Sequence, residues 1–152
     1  MSDEQKVRVG VIGLSAGAAR SRPAQELPQT ELAAICDLNE DLLRKISEEL
    51  GVERAFTDYE KLLEQDDVDM VFIATRDADH CPMTVAALDA GKHVLVEKPM
   101  ATTVEECQRM LDAEERSGKK LNVNQVLRTN PRFLEAKRMA DCGYLGEIFY
   151  CE

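Results

Sequence analysis

The sequence predicts an α/β fold: a doubly wound, mostly parallel sheet in three layers, with helices on both faces. Two observations predict it. Short apolar runs alternate with helix-period segments along the whole chain. The first run, Val7–Gly13 (VRVGVIG), is apolar at almost every position, as a parallel strand covered on both sides must be.

The elements follow in order. Val7–Gly13 is the first strand and Glu31–Cys36 (ELAAIC) the second. The segment between them opens on a turn rich in glycine and alanine, but Pro23 falls inside it. A proline in a helix interior costs about 3 kcal/mol, so a shorter helix beginning near residue 22, behind an irregular loop, is one expectation there. The next helix covers Glu40–Leu50, with Gly51 suited to the left-handed position at its end. Arg54–Phe56 is a short third strand. Asp58 caps a helix over Tyr59–Leu63, and Met70–Ala74 is the fourth strand. A helix over His80–Ala90 carries Pro82 near its first turn and Gly91 at its end, and Val94–Val96 is the fifth strand. Thr103 with Glu106 forms a capping box for a helix that reaches about Ser117 and stops at Gly118. Leu121–Val123 is the sixth strand. Asn130 and Pro131 supply the cap and first residue of a last helix reaching about Cys142. Gly146–Glu152 reads as the start of one more strand. A terminal strand with no partner behind it suggests an excised piece, in which residues 1–122 form a core and 123–152 lead into a truncated second domain.

Composition narrows the class. At 152 residues, 44% apolar and 32% charged, the chain suits one ordinary globular domain that folds without staples. The net charge is −10. Acids dominate residues 37–115 and bases dominate 116–152. An acidic body repels nucleic-acid backbones, so no nucleic-acid partner is expected. No apolar run approaches the ~20 residues of a membrane span, and the polar opening MSDEQKVRVG is no signal peptide. A cytoplasmic location away from membranes is therefore expected. The five cysteines, at 36, 81, 107, 142 and 151, form no CxxC pair. Neither a disulfide framework nor a metal site is expected. Cys36 reads as a small core residue, and Cys81 has no base at a recognisable spacing to activate it.

Six strands with crossover helices give the sheet order 3-2-1-4-5-6, and ligands of such sheets bind outside the carboxyl ends of the strands. Gly13–Gly17, Asp37, Thr75–His80 and Glu97–Pro99 then share one rim. The first turn, Gly13-Leu14-Ser15-Ala16-Gly17-Ala18, is a degenerate dinucleotide fingerprint. Gly13 and Ala18 suit the tight-turn and helix-packing positions, while Ser15 stands where a second glycine would let a pyrophosphate approach. A merely tight strand-to-helix turn is the plainer alternative. Asp37 directly follows the second strand, where a carboxylate accepts ribose hydroxyls and repels a 2′-phosphate. That favours NAD over NADP; the alternative is that Asp37 only starts the next helix. Glu97-Lys98-Pro99 leaves the fifth strand at the same rim. Lys98 there could neutralise a developing alkoxide or hold a substrate hydroxyl.

The stretch AGKHVLVEKP, Ala90–Pro99, resembles the signature of the Gfo/Idh/MocA oxidoreductases, glucose-fructose oxidoreductase and the inositol dehydrogenases among them. VRVGVIGL at the start, ICDLN around Asp37, FTDYEKLL at Phe56–Leu63, VDMVFIAT at Val68–Thr75 and the closing GYLGEIFYCE extend the likeness over nearly the whole chain. The resemblance implies a Rossmann domain that binds NAD(P), followed by an α/β domain holding most substrate contacts and the oligomer interface. It implies hydride transfer between nicotinamide and the hydroxyl-bearing carbon of a sugar or polyol, with Lys98 in the position of the family's active-site lysine. The cofactor contacts it implies are Gly13, Leu14, Ser15, Ala16, Asp37, Leu38, Thr75, Arg76, His80, Glu97, Lys98 and Pro99.

The chain departs from the family pattern at Arg76-Asp77, where Pro-Asn is usual, at Ala78, and at Asn124-Gln125, where a glycine and an aromatic residue are usual. Arg76 could meet a phosphate or an anionic substrate, or be a plain surface arginine. His80 could contact a ligand or simply open a helix. Two functions follow: an NAD-dependent oxidoreductase whose isolated half turns over little, or a non-catalytic Rossmann module serving as sensor or scaffold. An S-adenosylmethionine enzyme on a similar sheet ranks below both.

Overall fold

The structure, a computed structural model, describes residues 6–150. Strands β1 (Val7–Ile12), β2 (Thr30–Cys36), β3 (Ala55–Phe56), β4 (Met70–Ile73), β5 (His93–Glu97) and β6 (Leu121–Asn124) form one sheet in the order β3-β2-β1-β4-β5-β6. Every neighbouring pair is parallel. This is the order expected from the sequence, and it turns back between β1 and β4, where crossovers leave in opposite directions.

Alternation along each strand serves two cores. Val9, Val11, Leu32, Ile35, Phe72 and Ala74 face one side, with Leu14 of α1 (Leu14–Glu26) and Leu43 and Ile46 of α2 (Glu40–Leu50). Ile12, Val71, Ile73, Val94 and Val96 face the other. They meet Leu62 of α3 (Tyr59–Leu63), Leu88 of α4 (Asp77–Asp89) and Met110 of α5 (Val104–Ser117). The β1–β2 register shifts between Val9 and Gly10, so that Gly10 lies opposite Ala34 and Ala33 is the extra residue in β2.

Helix ends behave as their residues require. Asn39 accepts from the Leu42 N–H, Asp58 from that of Glu60, and Asn130 from that of Arg132 at the start of α6 (Pro131–Asp141). Thr103 and Glu106 complete the reciprocal capping box of α5. Gly51 and Gly118 close α2 and α5 in the left-handed conformation.

Three expectations are corrected. The first helix does not wait for residue 22. Helix α1 begins at Leu14 and runs through Pro23, whose ring lies on the exposed side. Fully buried Leu14 and Ser21, and Gly17 packed on Val11, anchor the preceding turns and outweigh the local cost of the proline. Helix α4 likewise starts at Asp77, not His80, which puts Pro82 in its second turn. Asp77 and Asp79 lie in the first turn, where negative charge is favourable. Finally, Gly146–Tyr150 is not a strand, and residues 151–152 lie outside those described. A strand needs a partner ladder, and among the described residues the sheet ends at β6. Helix α6 buries none of its residues, and Phe133, Leu134, Tyr144 and Phe149 are exposed.

The amino ends of the strands are stitched by charge. The Arg8 guanidinium donates to Asp69 at 2.7 and 2.9 Å, and the Arg8 backbone N–H donates to the same carboxylate at 2.8 Å. Arg54 pairs with Asp67, and the buried Lys92 ammonium donates to the Gln65 carbonyl at 2.6 Å. The hydrogen bond from Arg8 holds the Asp69 carboxyl at about 2, below its ordinary 3.8. A depressed carboxyl stabilises the fold above the ordinary value and loses that contribution as pH falls through the folded one. Urea unfolding midpoints should therefore drop between about pH 4 and pH 2, and Arg8→Met should flatten that part of the profile. An unchanged slope in the variant would remove the pair from the account.

Candidate functional site

At the carboxyl ends of β1, β2 and β4 the fold leaves a cleft of about 580 Å³, within the usual size of small-molecule sites. Its lining comes from each strand end in turn. Gly13, Ser15 and Ala16 enter from the first crossover, Asp37 and Leu38 after β2, Thr57–Tyr59 after β3, and Thr75, Arg76, Asp79 and Met83 after β4. Neighbouring backbone stitches these turns together. The Gly13 N–H donates to Cys36 O at 2.8 Å, that of Ala74 to Ile12 O at 2.8 Å, and that of Asp37 to Phe56 O at 3.1 Å.

Gly13 makes the sharp turn into α1. Its φ is 88°, and a Cβ would sit 2.6 Å from the Ala74 carbonyl oxygen. Only glycine fits there. Gly13 also leaves the helix without a side-chain cap. A helix cannot satisfy its own leading N–H groups. That of Leu14 donates to Asp37 Oδ2 at 2.7 Å. Among the described residues, the N–H groups of Ser15 and Ala16 have no protein acceptor, and both residues line the cleft. Unpaired amides at a helix start attract phosphate. The observed start of α1 thus keeps the anion-binding end at the cleft, where a helix delayed to residue 22 would have removed it.

Asp37 is engaged on both oxygens, since Oδ1 accepts from the Asn39 N–H at 2.8 Å. Each carboxylate oxygen retains a second acceptor position for a ligand hydroxyl. The cleft is otherwise acidic. Burial, then Asp37 and Asp58, push the Cys36 thiol up to about 12. Burial, then Glu60, Asp58 and Asp79, raise the Tyr59 phenol. Arg76 is a cation on this rim, and its Nε donates to Asp79 at 3.0 Å.

The remaining expected residues lie beside the cleft and not among its lining. Glu97, Lys98 and Pro99 leave β5 next to β4, and the exposed Lys98 donates its backbone N–H to Glu97 Oε2 at 3.2 Å. Asn124 of β6 donates its amide to Glu97 Oε1 at 2.7 Å. His80 is 1% exposed, with ring nitrogens on the carbonyls of Pro99 and Thr75. Cys81 is buried against the Glu106 carbonyl and its thiol is raised by burial, which suits a core residue. The sequence alone did not single out Thr57, Asp58, Tyr59 or Met83 for the cleft, whereas Asp79 lay inside the expected Thr75–His80 rim. The rule that ligands meet strand ends pointed to the first three, because β3 ends at Phe56. Asp79 and Met83 share one face of α4 at the i, i+4 spacing.

A second cavity of about 580 Å³ lies beside β6, lined by Leu95, Asn122, Asn124 and the 3-10 turn Val126–Thr129. Among the described residues no His, Cys, Asp or Glu cluster could hold a metal ion, and no helix is long and apolar enough to cross a membrane.

Comparison with known proteins agrees with this geometry. Residues 7–125 match the family model described as an oxidoreductase family with an NAD-binding Rossmann fold. The chain is 29% identical over 147 residues to inositol 2-dehydrogenase of Salmonella typhimurium, covering 93% of this chain and 43% of that protein. It is 27% identical, with a TM-score of 0.88, to scyllo-inositol dehydrogenase of Lactobacillus casei with bound NAD(H) and scyllo-inositol, covering 95% of this chain and 43% of that one. It is 34% identical, with a TM-score of 0.86, to a 3-ketoreductase of Actinomadura kijaniata in complex with TDP-benzene and NADP, covering 95% and 46%. The chain thus spans less than half the length of these relatives. With its sheet order, its glycine turn and a family match over most of its residues, the chain belongs to the Gfo/Idh/MocA oxidoreductase family and carries that family's NAD-binding Rossmann fold.

Proposed function

We propose that the cleft holds NAD. The pyrophosphate lies at the start of α1 on Gly13, Leu14, Ser15 and Ala16, the adenosine ribose on Asp37 beside Leu38, and the nicotinamide end toward Thr75, Arg76 and Glu97–Lys98–Pro99. The observation that carries this reading is the pair of N–H groups of Ser15 and Ala16, unpaired at a helix start and next to a carboxylate. The residues fit the cofactor. Gly13 provides the turn, the amides suit a diphosphate, and Asp37 has acceptor capacity to spare. The acidic lining around Asp37, Asp58 and Asp79 opposes a 2′-phosphate and so favours NAD over NADP.

When bound, NAD supplies the hydride chemistry, and the protein supplies binding and orientation. Lys98 is the residue we assign to the reacting end, where its ammonium steadies negative charge on a substrate oxygen. The reaction is oxidation or reduction at the hydroxyl-bearing carbon of a sugar, polyol or related compound. Relatives named for inositol dehydrogenation support polyhydroxylated substrates. The rest of the substrate site belongs to a second domain, so these residues alone bind nucleotide but turn over little. Homo-oligomers would likewise depend on that domain.

Titrating the purified protein with NADH, followed by nicotinamide fluorescence, tests this reading. Saturable binding is expected, with NADPH weaker by about tenfold or more, the equivalent of one lost charge-assisted contact. A folded sample that shows no saturation at millimolar NADH would instead favour a non-catalytic sensor or scaffold.

A further inference from the structure

His80 is an imidazole enclosed by the protein at 1% exposure, beside a cleft it does not line. Its Nδ1 lies 2.8 Å from the Pro99 carbonyl oxygen and its Nε2 lies 3.3 Å from that of Thr75. Both partners are acceptors. A single imidazole N–H serves one of them, and the 2.8 Å contact makes Nδ1 the better-placed donor. Pro99 closes the turn that carries Lys98, and Thr75 opens the turn that leads into α4. His80 stands on α4, which follows β4 through Thr75, so its one hydrogen bond ties the β5 exit to the start of that helix. The β5 exit is held from its other side by Asn124, which donates to Glu97. The turn that carries Lys98 is thus braced from α4 and from β6.

We infer that His80 is a positioning residue: its Nδ1–H fixes the Glu97–Lys98–Pro99 turn against the start of α4 and thereby sets where Lys98 stands at the nicotinamide end. This deepens the functional reading above and rests on it. His80 touches neither cofactor nor substrate. Its effect falls on the half of the dinucleotide beyond the pyrophosphate, while the adenosine half, held at α1 and Asp37, is indifferent to it.

The test compares His80→Asn with His80→Gln. An asparagine amide reaches the place of Nδ1, and a glutamine amide reaches the place of Nε2. Affinities for NADH and for ADP-ribose, which lacks nicotinamide, are measured for each variant, with thermal unfolding as a control. His80→Asn should keep NADH affinity within about threefold of the parent, because the bond to Pro99 is retained. His80→Gln should lose about tenfold for NADH. ADP-ribose should bind both variants as it binds the parent. Equal NADH affinities in the two variants, or an equal loss for ADP-ribose, would overturn the inference while leaving the functional reading intact. Failure of the folded parent to bind NADH would overturn both.

Discussion

Gly13→Ala is expected to destabilise the protein by roughly 3 kcal/mol, adding the penalty of a positive φ to that of an overpacked contact. For a chain of this size that lowers the unfolding midpoint by roughly 6–12 °C. The new methyl would meet the carbonyl oxygen and carbon of Ala74 at 2.6 and 2.8 Å, and neither can retreat without moving the end of β4. Gly118→Ala is the internal control. Gly118 also has a positive φ, 66°, but a Cβ there meets nothing within 4 Å. Its cost should be only about 1 kcal/mol, the backbone penalty alone. Equal costs at the two positions, read from denaturant unfolding, would show that the close approach of the β1 and β4 exits is not what fixes residue 13.

Asp37→Ala should weaken NADH binding between about tenfold and a hundredfold, the range for lost hydrogen bonds to a charged group. It should also narrow the preference for NADH over NADPH, since the carboxylate that opposes a 2′-phosphate is gone. The same change unpairs the N–H groups of Leu14 and Asn39, so a stability loss of about 1–2 kcal/mol accompanies it, as for other lost helix caps. Asp37→Asn separates the effects, because it keeps the shape and one acceptor while removing the charge. Unchanged NADH affinity in a folded Asp37→Ala protein would reject the ribose role and leave Asp37 as a helix cap alone.

The sheet order was legible in the sequence because parallel strands covered on both faces must be almost wholly apolar, and such runs have few other uses. The caps at Asp58, Thr103 and Asn130 were legible because short polar side chains before a helix satisfy its orphan N–H groups locally. Helix α1 was not. The local cost of Pro23 is visible in the sequence, but the compensation comes from the packing of Leu14, Gly17 and Ser21 against other elements. The closing segment misled for the opposite reason. Its apolar residues suit a strand, but no neighbouring strand offers a ladder among the described residues.

The candidate site divides the same way. Gly13, Asp37 and the Lys98 turn stand out by residue type and place after a strand. The Asp58–Tyr59 wall was within reach of the strand-end rule, since the third strand was read to end at Phe56, but the capping role of Asp58 hid its place at the cleft. Asn124, which the sequence offered no reason to single out as a contact, braces the β5 exit through its bond to Glu97.

The dinucleotide is expected in the rim cleft and not in the cavity beside β6. Amide chemical shifts of the ¹⁵N-labelled protein during NADH titration test it most directly. Saturable shifts are expected at Leu14, Ser15, Ala16, Asp37, Leu38, Thr75 and Arg76, with the β6 cavity quiet. Shifts confined to residues 122–129, or none at a saturating concentration, would contradict it.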